Sequence, residues 1–585
     1  MALARRGQRV TSLRLLLRRT TPSPRFASTR ITERAHNMAA PTHHDESLTV
    51  HKTAHAFSKD NLAQLLSQRF FYAPAFDIYG GVAGLYDYGP PGSALQANII
   101  NEWRRHFIVE EGMYELDTTI TTPAPVFQTS GHVERFADWM VKDNVTGDVL
   151  RADHLVKNVL GARLESDKLA RGPPAAMTDG KRVKTKDKPV KLDDAVAAEY
   201  DTILAKLDNY SGPQLGELCE QHKIMNPETG NAVSEPVEFN LMFGVSIGPT
   251  GHIPGYLRPE TAQGHFVNFQ RLYEFNNRRI PFASAAIGRA FRNEISPRAG
   301  LLRVREFTMA EIEHFVDPLN KTHPRFAEVR DVELALLPRD VQMAGSTEVK
   351  HMTIGAAVDN NIVANETLGY FVARIFLFLT KIGINPERLR FRQHMGNEMA
   401  HYATDCWDAE IHNASGWTEC VGCADRAAYD LSVHQKKTGV NLSATESLKE
   451  PVFRDEWVIE INKKVLAKTF TKDTQAATLA LQELSQVELA ATATALENGP
   501  VEVNGVGGKT FAITKEHATI SLKTLKVSVR TYTPNVIEPS FGLGRILYCL
   551  LEHSYWARED DINRGVSPNT FTPSRATLSS AAQPH

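Results

Sequence analysis

The sequence predicts an α+β protein, and three stretches carry that prediction. The first, ASAAIGRAFRNEISPRAGLLRVREFTMAEIEHF, divides into a strand over Ala285–Ile295, a loop over Ser296–Leu302 and a second strand over Arg303–Val316. The second begins near Pro91, a residue suited to a helix start, and repeats Leu95, Ile99, Trp103 and Phe107 at helical spacing. In the third, a strand over Val536–Pro539 leads into a helix from about Gly542. There Leu543, Ile546, Leu547, Leu550 and Leu551 form one apolar face. At 585 residues the chain is too long for one core and is expected to hold two to four domains.

Hydrophobic residues make up 42% and charged residues 23%, and the formal net charge is −2. A nucleic-acid partner would therefore have to meet a local basic surface. No run of about 18 apolar residues predicts a membrane-spanning helix. Five cysteines, an odd number, point to free thiols in a reducing compartment.

The hairpin is the most informative stretch, because alternate residues of a strand share a face. On the first strand Arg292 and Glu294 share one face, with Asn293 opposite. On the second, Arg303, Arg305, Phe307, Met309, Glu311 and Glu313 fall together. Such a face suits a ligand with phosphates, a flat ring and an ammonium group. The alternative is a solvated sheet face whose cross-strand ion pairs are worth about 0.2–1 kcal/mol each.

Taken in order, residues 1–37 carry nine arginines and one acid, Glu33, with Leu13, Leu15, Leu16 and Leu17 forming an apolar patch on a helix. That is the composition of a mitochondrial transit peptide, and Met38 offers a second start. A basic RNA-binding tail is the alternative. Asp60–Phe70 reads as an amphipathic helix capped by Asp60. A Gly/Tyr/Pro turn, the helix from Pro91, a strand over Met113–Thr119 and a turn at Pro123 follow. Residues 151–240 read as an insertion, with a basic run from Lys181 to Lys191 that is either a solvated loop or a phosphate-contacting arm. Residues 317–390 read as a connector of helices and strands. Cys420 and Cys423 form half of a zinc pattern, but no second cysteine pair completes it, so no zinc is expected. Residues 435–530 read as a second insertion, with a strand over Trp457–Ile461, one helix over Thr474–Leu496 and short strands to Val529.

Arg292-x-Glu294 followed by Arg303-x-x-x-Phe307-x-x-x-Glu311 resembles motif 2 of the class II aminoacyl-tRNA synthetases, and EPSFGLGR before the last helix resembles their motif 3. The helix and strand ending at Pro123 resemble motif 1. FQTSGHVERFADWMVKD, RPETAQ, RQHMGNEMAHYATDCWDAEI and GWTECVGCADRAAYDL are similar to the eukaryotic-type glycyl enzymes of that class. The resemblance runs from about Phe57 to Glu559.

It implies an antiparallel sheet core flanked by helices, with two inserted α/β subdomains. The core would comprise residues 45–150, 241–434 and 531–559, with insertions at 151–240 and 435–530. An anticodon-binding domain would be missing, because the tail 560–585 is rich in Ser, Thr, Pro and Ala and reads as disordered. The implied chemistry is adenylation of glycine by ATP with Mg²⁺, then transfer to tRNA(Gly), by a homodimer joined through motif 1. By the same resemblance Arg292 would hold the α-phosphate and Arg545 the γ-phosphate. Phe307 would stack on adenine, and Asn293, Glu294, Arg303, Val304, Glu419 and Cys420 would line the nucleotide, with Glu419 placed to hold Mg²⁺. Glu260, Glu311, Glu538, Pro539 and Ser540 would surround glycine. Two alternatives stand beside this reading: a class II enzyme for another small amino acid, and a synthetase-derived RNA-binding protein with impaired charging.

Overall fold

The computed structural model describes residues 58–171, 189–249, 251, 253–297, 299–396, 398–399, 403–505 and 509–555. The predicted transit peptide 1–37, residues 181–188 of the basic run and the tail 560–585 lie outside the described residues.

A nine-stranded sheet organises the chain. Its strands are β1 Tyr114–Glu115, β2 Phe282–Phe291, β3 Glu306–Val316, β4 Glu333–Leu337, β5 Lys350–Thr353, β6 Leu389–Gln393, β7 Asp405–Asn413, β8 Gly416–Ala427 and β9 Asn535–Gly542. They lie in the order β5-β4-β6-β7-β8-β9-β3-β2-β1. The contiguous pairings from β6 through β2 are antiparallel, while β4–β6 and β2–β1 are parallel.

One face of the sheet is apolar. Ala310 and Ile312 of β3, Ile537 and Phe541 of β9, and Trp407, Ala409 and Ile411 of β7 alternate onto it. Helices α1 Pro90–Trp103, α3 Glu366–Ile382 and α5 Leu543–His553 supply the other half of that core. Phe541 sits at the crossing, its ring centroid 5.6 Å from Trp103, 5.0 Å from Phe107 and 5.9 Å from Phe378. Asn365 caps α3 by accepting from the Leu368 N–H, and Gly383, at φ 111°, ends it in a conformation that costs glycine little. On α5 the five residues of the expected apolar face are all buried.

Several expected boundaries move, each for a local reason. The hairpin strands are shorter, because β2 ends at Phe291 and β3 starts at Glu306. Between them the backbone turns to other partners: Arg305 N–H donates to Gly84 O at 2.8 Å, and Asn293 N–H to Leu241 O at 2.8 Å. Ser58, not Asp60, caps the helix Lys59–Gln68 by accepting from Asn61 N–H, and Asp60 lies in the first turn. The expected strand over Met113–Thr119 shortens, and a further strand forms where a turn was expected at Pro123. Tyr114–Glu115 joins the large sheet, while Thr121–Pro123 pairs with Ile253–Leu257 in a separate three-stranded sheet.

Residues 137–240 gather a second apolar cluster. Strands Ala137–Lys142, Val149–Arg151 and Val237–Asn240 meet α2, Ala152–Arg171, and two further helices around Val141, Leu155, Val156, Leu160, Tyr200 and Leu215. Further along, α4, Tyr429–Thr438, crosses the boundary expected at 435. Beyond it a long hairpin, Ala444–Ile461 with Ala518–Tyr532, carries another cluster around Leu466, Leu481, Leu496 and Phe511. The single helix expected over Thr474–Leu496 is two, Thr474–Gln482 and Gln486–Asn498. The second restarts at Ser485, which with Glu488 forms a capping box.

Candidate active site

On the face of the sheet away from α1, α3 and α5 lies a cavity of about 210 Å³. Strand alternation builds its floor. The residues of β3, β8 and β9 that point away from the helices include Met309, Glu311, Gly422, Ala424, Glu538 and Ser540, and all six line it.

Three arginines gather at one end. Arg292 leaves the end of β2, and its guanidinium carbon stands 5.4 Å from the centre of the Phe307 ring and 5.2 Å from that of Phe136. Arg545, in the first turn of α5, donates to Leu302 O at 3.0 Å and Glu419 O at 2.7 Å. Its Nη1 also stands 3.7 Å from the Glu419 carboxylate, a side chain still 55% exposed. Arg303 enters from the loop, with Nε 3.8 Å from Glu294. Val304 completes this end.

Carboxylates gather at the other end. Glu311 is fully engaged: Oε2 accepts from the Thr261 N–H at 2.6 Å and its hydroxyl at 2.5 Å, and Oε1 from Ser540 Oγ at 2.9 Å. Burial, and Glu260 beside it, still push its carboxyl above the ordinary range. Glu260 is buried too, but His132 at 3.2 Å, Arg426 at 3.7 Å and Gln263 at 3.1 Å outweigh that cost and hold it low. Arg258, its neighbour in the chain, is not its partner. That guanidinium donates to Thr118 O and Arg289 O and lies over Gly288, where a Cβ would come within 2.1 Å of Nη2. Glu538 bonds Arg426, yet burial, with Glu311 and Glu260 nearby, pushes it up to about 8. Arg426 also binds Asp430 at 2.9 Å and faces the Phe266 ring. The acids of this end outnumber the cations that face them, so a ligand ammonium would complete it.

The cavity unites the expected residues Glu260, Arg292, Glu294, Arg303, Val304, Phe307, Glu311, Glu419, Cys420, Glu538, Ser540 and Arg545. Two expected residues do not line it. Pro539 alternates to the opposite side of β9 from Glu538 and Ser540 and pairs with Cys423, while Asn293 turns toward Leu241. Arg305, expected to share the face, instead reaches back to Ala83 O and Glu294 O. Sequence reasoning misses Arg426, His132, Thr261 and Gln263. For Arg426 the sequence signal is the alternation Gly422, Ala424, Arg426, although the β8–β9 register shifts at Arg426.

Cys420 occupies a β-bulge between β7 and β8, its sulfur 3.9 Å from that of Cys549. Among the described residues no third ligand joins Cys420 and Cys423 in a metal set. A different trio, His394, Cys406 and Asp408, brings three ligand atoms within 4.8 Å of one another along the cavity wall. Asp408 is already engaged there, by His394 Nε2 at 2.7 Å and Arg392 Nη2 at 3.1 Å.

Residues 254–335 match the family model described as the tRNA synthetase class II core domain (G, H, P, S and T). The chain is 54% identical over 542 residues to glycine–tRNA ligase 1, mitochondrial, of Saccharomyces cerevisiae, covering 90% of this chain and 78% of that one. It is 49% identical over 508 residues to glycine–tRNA ligase 2 of the same yeast, covering 87% and 78%. To the glycine–tRNA ligase of Caenorhabditis elegans it is 49% identical over 509 residues, covering 87% and 65%.

Proposed function

Because the chain belongs to the glycine–tRNA ligase family of class II synthetases, we propose that the cavity is where it activates glycine with ATP and passes glycyl to tRNA(Gly). The observation that carries this reading is the polarity of the cavity, with Arg292, Arg303 and Arg545 at one end and Glu260, Glu311 and Glu538 at the other.

Glycine carries an ammonium and a carboxylate separated by one carbon, and ATP carries its negative charge on phosphates. With the ammonium among the acids, the carboxylate faces the arginines. A carboxylate oxygen then attacks the α-phosphorus, the bond to pyrophosphate breaks, and glycyl-adenylate remains. Charge accumulates on the α-phosphoryl oxygens during that displacement, and Arg292 is the guanidinium assigned to them. Arg545, rooted at the helix start, is assigned to the γ-phosphate, and Phe307 to the adenine. Mg²⁺ bound with the phosphates supplies charge neutralisation, and the half-open carboxylate of Glu419 fits as its holder. In the second step the tRNA 3′-terminal ribose hydroxyl attacks the glycyl carbonyl and AMP leaves. No protein nucleophile is required, so positioning and electrostatics carry both steps.

Glycine is selected by exclusion. Glu311 pairs with Ser540 across β3 and β9, with Glu538 two residues along, and the hydrogen bonds to Glu311 leave it little freedom to yield to the Cβ of a larger amino acid.

Purified protein should glycylate tRNA(Gly) in the presence of ATP and Mg²⁺. Charging with alanine or serine in place of glycine would refute the assignment. We also assign a homodimer, supported by the exposed Phe76 (58%), Ile78 (91%) and Tyr79 (85%) ahead of α1, and sedimentation velocity tests it. Both mitochondrial and cytosolic locations are proposed, from the arginine-rich residues 1–37 and the relative named mitochondrial. Reporter fusions beginning at Met1 and at Met38 should separate the two.

A further inference from the structure

We propose that His154 is a positioning residue for Arg303, through which the 137–240 unit sets the nucleotide end of the cavity. The inference rests on the reading of Arg303 as a nucleotide-lining residue.

Arg303 is the wall between two spaces. On one side is the active-site cavity; on the other is a second cavity of about 250 Å³, where Arg151, His154, Asn158 and Asn226 face Ser296 and Ala299 of the hairpin loop. Two other guanidiniums beside this loop, among the described residues, are tied to backbone carbonyls, Arg305 to Ala83 O at 2.9 Å and Arg545 to Leu302 O at 3.0 Å. The guanidinium of Arg303 instead donates to the imidazole of His154, at the start of α2.

The helix start that carries this imidazole is itself braced. The Asp153 carboxylate accepts from the His154 backbone N–H at 2.8 Å, and Arg151 grips the same carboxylate with Nε and Nη2, each at 2.8 Å. Arg151 Nη1 reaches Asp138, on the strand Ala137–Lys142, at 2.8 Å. The strand and the helix start that carries the imidazole are therefore tied together. A protonated imidazole would repel Arg303, whereas a neutral one offers a lone pair. Partial burial, reinforced by Arg303 and Arg151 against the opposing pull of Asp153, lowers His154 and favours the neutral ring, whose side chain is 39% exposed. With Glu294 on its other side, the guanidinium is held between a carboxylate of the core and an imidazole of the 137–240 unit. A displacement of that unit shifts Arg303, and with it the fit of the nucleotide.

The test is glycine-dependent ATP–pyrophosphate exchange by the full chain. Arg303→Ala comes first and should raise the KM for ATP; no change would remove the reading of Arg303 itself. Given that effect, His154→Ala should raise the KM for ATP roughly 5–10-fold, with kcat within about twofold and the KM for glycine unmoved. His154→Gln, which keeps an acceptor oxygen, should recover most of the loss. In the Arg303→Ala background His154→Ala should add nothing. An unchanged KM for ATP in His154→Ala, or an equal loss in both backgrounds, would overturn the proposal. So would a loss shared by kcat and both KM values that His154→Gln does not rescue, since that marks a merely structural histidine.

Discussion

Arg426 is fully buried between Glu260, Glu538 and Asp430, so one guanidinium serves three acids. A buried charge is tolerated only with partners, and one cation cannot neutralise three carboxylates. Burial, with Glu311 and Glu260 nearby, outweighs Arg426 and raises Glu538 to about 8. The sign of the consequence follows. Below about pH 8 the free enzyme holds that proton, and an incoming ammonium favours the ionised carboxylate and expels it. Glycine binding at pH 7 should therefore release up to about one proton, and the release should fade as pH rises past the carboxyl's own titration. Calorimetry in buffers of different ionisation enthalpy measures it. Glu538→Gln should abolish the release, and heats independent of buffer would contradict the account. At the arginine end, Arg292→Ala should slow the exchange roughly 10²-fold or more, the cost of one transition-state donor. Near-normal exchange would remove Arg292 from that role.

At the scale of elements, strand alternation makes most of the site legible in the sequence. It groups Phe307, Met309 and Glu311 on one side, and all three line the cavity. The same rule excludes Pro539, which the resemblance includes. Arg305 escapes the rule because it precedes β3, where the backbone N–H groups bond elsewhere, and sequence carries little trace of such long-range partners. His132 escapes for a related reason, since it reaches Glu260 only once separate segments have packed, as does the link from Gln263 to Asp430. The break before Gln486 is legible in Ser485-x-x-Glu488, a capping signature inside an apolar-periodic run. The core on the far face binds these elements together. Phe541 shares its strand with Glu538 and Ser540 and packs against Trp103, Phe107 and Phe378. Phe541→Ala should cost about 3–5 kcal/mol. A lowered unfolding midpoint, with activity lost at a correspondingly lower temperature, is the expected result; an unchanged midpoint would mean the crossing closes without that ring.

For the whole molecule, the sheet separates two environments. Helices α1, α3 and α5 cover one face with apolar side chains, and the other carries the charged cavity beside an apolar cluster around Phe266, Phe269 and Phe315. The start of the 137–240 unit near Ala137 is hidden from sequence reasoning, because its first strand pairs with Val237–Asn240, about a hundred residues away. The central claim is that one polarised cavity, arginines at one end and acids at the other, activates glycine alone. Pyrophosphate exchange into ATP, assayed with each of the twenty amino acids in turn, tests it most directly. Exchange with glycine and background rates with alanine and serine are the predicted result; exchange supported by alanine or serine, or by no amino acid, would contradict it.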